Sequence, residues 1–245
     1  MDTAAAPERT KMGELGRLTG VIWSPGEAFQ DIARRPGGWI PLAINIVLSL
    51  VVIYSFTQRV GWERFMRHQI EISSRAQNMP AAEKEQQIAQ GARFAPIGAY
   101  VFSVVGIPLM AVITAGVLLV VFRTFLGSEI TFRQTFGIVS YAWIPLAISG
   151  LLTLAVMLLK NPEDFDLQYP TLTSVGAFLD PLTTPKWLLS LGTSLDVFTF
   201  WILVLLATGF AAATRKISWS TCLACVVGPW GILVLVKMCW AAIFG

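Results

Sequence analysis

Five long apolar runs, near residues 39–57, 95–122, 136–159, 194–213 and 221–244, constrain this chain more than any other feature. Each is about as long as a helix must be to cross a hydrocarbon layer roughly 30 Å thick at about 1.5 Å rise per residue. A helix in a soluble protein is apolar along one stripe and polar opposite it. These runs are apolar all round, so their natural solvent is lipid, where a backbone satisfies its polar groups only as helix or closed barrel. The expected fold class is all-α: a polytopic membrane protein, a bundle of five transmembrane helices with N-terminal amphipathic interfacial helices.

The charge content supports this. Only 13% of the 245 residues are charged, against about 25% in ordinary soluble domains, and they gather between the runs and near the N-terminus. Residues 1–10 read as a disordered N-terminus, 11–35 as interfacial helices and 36–245 as the membrane domain. The net charge of +3 is spread over several loops. No basic block interleaved with aromatics marks a nucleic-acid partner. No apolar signal core precedes the first run, so insertion is expected to begin with that run.

In the first interfacial element Met12, Leu15, Leu18 and Ile22 recur at three- and four-residue steps, with Lys11, Glu14 and Arg17 on the other side. That pattern suits a helix lying at the membrane surface, and Trp23 suits headgroup depth. Ser24-Pro25-Gly26-Glu27 reads as a helix start: Ser24 as cap, Pro25 at the first position and Glu27 completing a capping box. Ala28, Phe29 and Ile32 then form a short apolar stripe. The pair of helices reads as a membrane anchor or as a docking surface for a partner.

Between the first two spans, Pro80 opens a further surface helix and Gly91 reads as its stop. Thr131-Phe-Arg-Gln134 is a second capping box, opening the third span. Pro108, Pro145 and Pro229 are expected to kink the second, third and fifth spans. Arg34, Arg35, Arg123, Arg215 and Lys216 adjoin span ends, which places the N-terminus in the cytoplasm and the C-terminus outside, in a cell inner membrane.

Lys237 is the sharpest chemical anomaly, because a charge within a span costs at least a few kcal/mol unless it is paired or snorkels to the interface. Asp196 enters the fourth span from the same side, so a Lys237–Asp196 contact is expected, with snorkelling as the alternative. Asn45, inside the first span, should seek an interhelical partner. The span hydroxyls Ser103, Thr114, Ser140, Ser149 and Thr199 can bond back to their own helices. Cys222, Cys225 and Cys239 read as small buried thiols. No nucleophile–base pair, metal-ligand spacing, phosphate loop or dinucleotide fingerprint occurs, so no catalytic residue, cofactor or metal is assigned.

Three segments carry a resemblance. Ser24-Pro-Gly-Glu-Ala-Phe29 is like the Asn-Pro-x-x-x-Phe segment of the Yip family, multi-pass proteins named for interaction with Ypt/Rab GTPases. Thr131-Phe-Arg-Gln-Thr-Phe…Ser140-Tyr-Ala-Trp-Ile-Pro145 is similar to its mid-chain signature, and Ser194-Leu-Asp-Val-Phe-Thr-Phe-Trp201…Gly209 to its span-four signature. Over roughly residues 18–244 the chain resembles the bacterial branch of that family. The resemblance implies five spans, a cytoplasmic N-terminus and a non-catalytic membrane protein; in eukaryotic relatives it implies trafficking and GTPase recruitment. The leading reading is a non-enzymatic protein acting by association with the lipid bilayer, a membrane-protein partner or itself. The alternative is a small transporter or channel component using Lys237 and Asp196.

Overall fold

The computed structural model describes residues 11–71, 73, 79–162, 165, 170–214 and 216–244. The expected N-terminal disorder at 1–10 and the span-end Arg215 lie outside the described residues. Two short helices, α1 (Glu14–Trp23) and α2 (Pro25–Arg34), lead into the first span, α3 (Trp39–Arg59). Next come α4 (Trp62–Glu71) and α5 (Ala81–Val101), a π-helical turn (Phe102–Gly106) and α6 (Ile107–Leu126). α7 (Phe132–Ala142) and α8 (Ile144–Leu159) make the third span. A 3-10 turn (Val175–Phe178), α9 (Lys186–Ser194), α10 (Val197–Thr214) and α11 (Trp219–Phe244) complete the chain. Five of the described helices are long and apolar enough to cross a membrane, and the protein is a multi-pass membrane protein.

The prolines act differently in each span. Pro108 stands in the first turn of α6, directly after the π-helical turn that takes up the irregularity. Pro145 divides the third span: α7 stops at Ala142, Trp143 leaves helical geometry, and α8 begins with the proline in its first turn. Pro229 lies inside an uninterrupted α11.

Gly91 is not a stop. The helix starting at Ala81 runs on through the second span to Leu126, 46 residues in all. α4 lies close over it: a Cβ there would sit 2.5 Å from Met66 Cε, the far end of a flexible side chain. The Thr131 capping box forms with both reciprocal bonds. The one expected at Ser24 does not: Pro25 takes the first helical position, but the Ser24 side chain makes no cap bond and Glu27 is exposed. The Ser24 carbonyl instead accepts from the Glu27 and Ala28 amides, at 3.1 and 3.2 Å.

The main core joins α2, α6, α7, α10 and the start of α11. Phe29, Ile32, Phe122, Ile138, Tyr141, Ala207, Phe210 and Cys222 belong to it. Phe122 and Phe210 stack with ring centroids 4.0 Å apart. At the other end of the spans a smaller cluster forms around Phe56, Met157 and Phe165, flanked by Trp62 and Phe65 of α4.

Candidate functional site

Two places gather polar groups away from water, one outside the spans and one between them. The first fastens the N-terminal hairpin to the bundle. α2 lies against α7 and α10, and Ala28, Phe29 and Ile32 are fully buried. The receiving surface is made of small residues. A Cβ on Gly209 of α10 would lie 2.5 Å from Ile138 and 3.0 Å from Phe29, and one on Gly137 of α7 would lie 3.1 Å from the Gly37 carbonyl. The apolar stripe of α2 is therefore covered by protein.

α1 is rotated from the simple hydrophobic reading: Leu18 still packs against the core, but the buried positions are Arg17, Gly20 and Val21. Arg17, expected on the solvated side, is 5% exposed, while Leu15 is 80% exposed. Arg17 donates from Nε to Asp31 of α2 at 2.8 Å and from Nη1 to Glu14 at 3.1 Å. Asp31 also accepts from Arg35, and the Tyr141 hydroxyl of α7 donates to Glu14. Burial pushes the Asp31 carboxyl up, but the guanidiniums of Arg35 and Arg17 outweigh it and hold the group below its ordinary value. Burial lowers the Arg17 guanidinium, and its bonds to Asp31 and Tyr141 more than restore it. A buried arginine is tolerable here because its charge is paired and hydrogen-bonded. The Glu14–Arg17 spacing of three residues was visible in the sequence; Asp31 and Tyr141 lie too far along the chain to have signalled.

The second place is a half-open cleft of about 420 Å³ between α3, the α5–α6 junction and α8. Asn45, Ser49, Ser149 and Thr153 line it among apolar side chains. Asn45 donates through Nδ2 to the Pro41 carbonyl at 2.9 Å and across to the Trp143 carbonyl at 3.4 Å, where the third span is broken. Ser49 meets Ser103 at 2.7 Å, and Ser103 returns its proton to the Ala99 carbonyl at 3.0 Å.

Lys237 and Asp196 do not pair. Lys237 Nζ donates to Ser194 Oγ at 3.0 Å. Asp196 Oδ1 accepts from the Phe198 and Thr199 amides at 2.8 and 3.2 Å, capping α10. Orphan amides at a helix start hold a carboxylate well, so the aspartate stays there while the lysine reaches a neighbouring hydroxyl. Neither residue lines the cleft. Among the described residues no group of three or more His, Cys, Asp and Glu could hold a metal ion.

A family model described as the Yip1 domain matches residues 19–241, from α1 through nearly all of α11. The chain belongs to the Yip1 family. No curated protein and no solved structure matches it. The matched stretch of this Yip1 protein contains both the docking surface of α2 and the cleft. Gly209, which closes the span-four segment quoted above, is the glycine against which Phe29 packs. Family membership accords with a non-enzymatic membrane role.

Proposed function

We propose that this Yip1-family protein acts by association, presenting a fixed surface to a membrane partner or to lipid. The observation that carries this reading is the orientation of α1. With Arg17 drawn inward, Leu15 and Trp23 stand 80% and 83% exposed on a hairpin pinned to the bundle. Apolar side chains held in place lose less entropy on binding than the same groups on a free tail. The juxtamembrane arginines and lysine support a cytoplasmic position for this hairpin, in an inner membrane. The transport alternative would need Lys237 and Asp196 on one polar path; each is engaged by its own neighbour, and no observation favours it.

A photoreactive amino acid at position 15, activated in cells, tests the proposal. The expected result is a discrete protein or lipid adduct that Trp23→Ala removes without lowering the amount of folded protein. Labelling at position 15 that matches a lipid-facing control at position 233 and ignores Trp23→Ala would refute it.

A further inference from the structure

The cleft between α3, the α5–α6 junction and α8 holds hydrogen-bonding capacity that the chain itself leaves unused. Thr57, Ser103, Ser140, Thr208 and Thr214 each return the hydroxyl to the carbonyl four residues earlier, the usual way a span satisfies such a group. Ser149 and Thr153, one turn apart on α8, make no such bond and have no other partner. On the facing wall Asn45 spends its Nδ2 on two carbonyls while its Oδ1 accepts nothing. Asn45 and Thr153 are only 6% and 8% exposed. Even so, no side-chain nitrogen or oxygen sealed inside the described structure lacks a partner, so the free Asn45 and Thr153 atoms reach the cleft they line. The Thr114 and Thr199 hydroxyls also make no such bond, but these residues do not line it.

The chemistry of an occupant follows. No charged side chain lines the cleft, and an ion at this depth without a counter-charge is strongly disfavoured. Phe102, Met110 and Leu146 are exposed on the bundle surface beside it, 58%, 43% and 42% respectively, so entry is from the hydrocarbon and suits a molecule with apolar tails. Asn45, the acceptor on the facing wall, lies six residues from the start of α3 at Trp39, which is about 9 Å below that end at about 1.5 Å per residue. A phosphate stays at the headgroup level, whereas an uncharged alcohol can sink this far if its hydrogen bonds are replaced.

We infer that this cleft binds an uncharged lipid alcohol of the diacylglycerol type, its hydroxyl donating to Asn45 Oδ1, its ester carbonyls accepting from Ser149 and Thr153, and its tails leaving past Phe102 and Met110. This names a lipid for the association reading but uses a surface separate from α1, so either can fail without the other.

The test is retention of radiolabelled dioleoylglycerol by the purified full chain in detergent, with phosphatidylglycerol as competitor. Two variants separate chemistry from shape. Ser149→Ala with Thr153→Val removes the hydroxyls and keeps the volume. Gly150→Leu fills the cleft, since a Cβ at Gly150 meets nothing within 4 Å. Both should keep the wild-type melting temperature. The hydroxyl variant should lose retention about tenfold, as expected for two net hydrogen bonds, and the filled variant should lose it entirely. Phosphatidylglycerol should not compete. Equal retention by either folded variant, or competition by phosphatidylglycerol, overturns the inference. So does a change in dimer fraction without a change in lipid retention, which would mark the cleft as a seat for a second copy.

Discussion

α2 and α4 are both ten-residue amphipathic helices outside the membrane spans, and they meet opposite fates. α2 puts four residues into the core, and α4 puts in none. Their ion pairs differ likewise. Arg17 joins Asp31 with side chains 6% and 15% exposed, whereas Arg67 joins Glu85 with side chains 42% and 61% exposed. Amphipathicity says only that a face will be covered; the receiving surface decides how completely. Gly137 and Gly209 open a groove in which Phe29 is enclosed, while α4 rests on Gly91 and on the rim of the Phe56 cluster.

The comparison breaks most sharply at the buried aromatic. Phe29→Ala should cost about 3–5 kcal/mol in detergent unfolding, against less than about 1 kcal/mol for Met66→Ala on the α4 side. Equal losses would mean that α2 is no better held than α4. Removing the paired cation comes next. Arg17→Met takes a charged donor away from Asp31 and from Glu14 and should cost about 2–3 kcal/mol. Arg67→Ala should leave the melting temperature unchanged, because exposed pairs contribute little.

The two glycines sharpen the contrast at smaller scale. Gly209→Ala drives a Cβ into the stiff, β-branched Ile138 and should cost about 1–3 kcal/mol. Gly91→Ala meets only the movable end of Met66 and should be close to neutral, as read by thermal unfolding. The smallest effect is that of acid. The Asp31 carboxyl titrates below its ordinary value when folded, so its contribution is complete above an unfolded value of about 3.9 and is lost as pH falls through the lower folded value. Melting temperature should therefore decline below about pH 4, and Asp31→Asn should flatten that decline, whereas Glu85→Gln should not.

Much of this was legible in the chain. The apolar runs coincide to within a few residues with the five helices long and apolar enough to cross a membrane, except where α5 continues through Gly91 as one long helix. The Thr131 box and the break at Pro145 were also local signals. The inward turn of Arg17 was not, because its partners Asp31 and Tyr141 come from other helices. Lys237 bonds Ser194 rather than Asp196 for a similar reason: Asp196 has a nearer use at the start of α10.

The sequence alone determined that this protein dissolves in a bilayer as helices, since twenty-residue apolar segments leave a backbone no other way to satisfy its polar groups there. Tertiary structure alone decided which polar groups are spent and which are left over. Helix packing brought Arg17 to Asp31 and left Thr153 without a partner. Those outcomes depend on distances between residues far apart in the chain, which the order of residues does not carry.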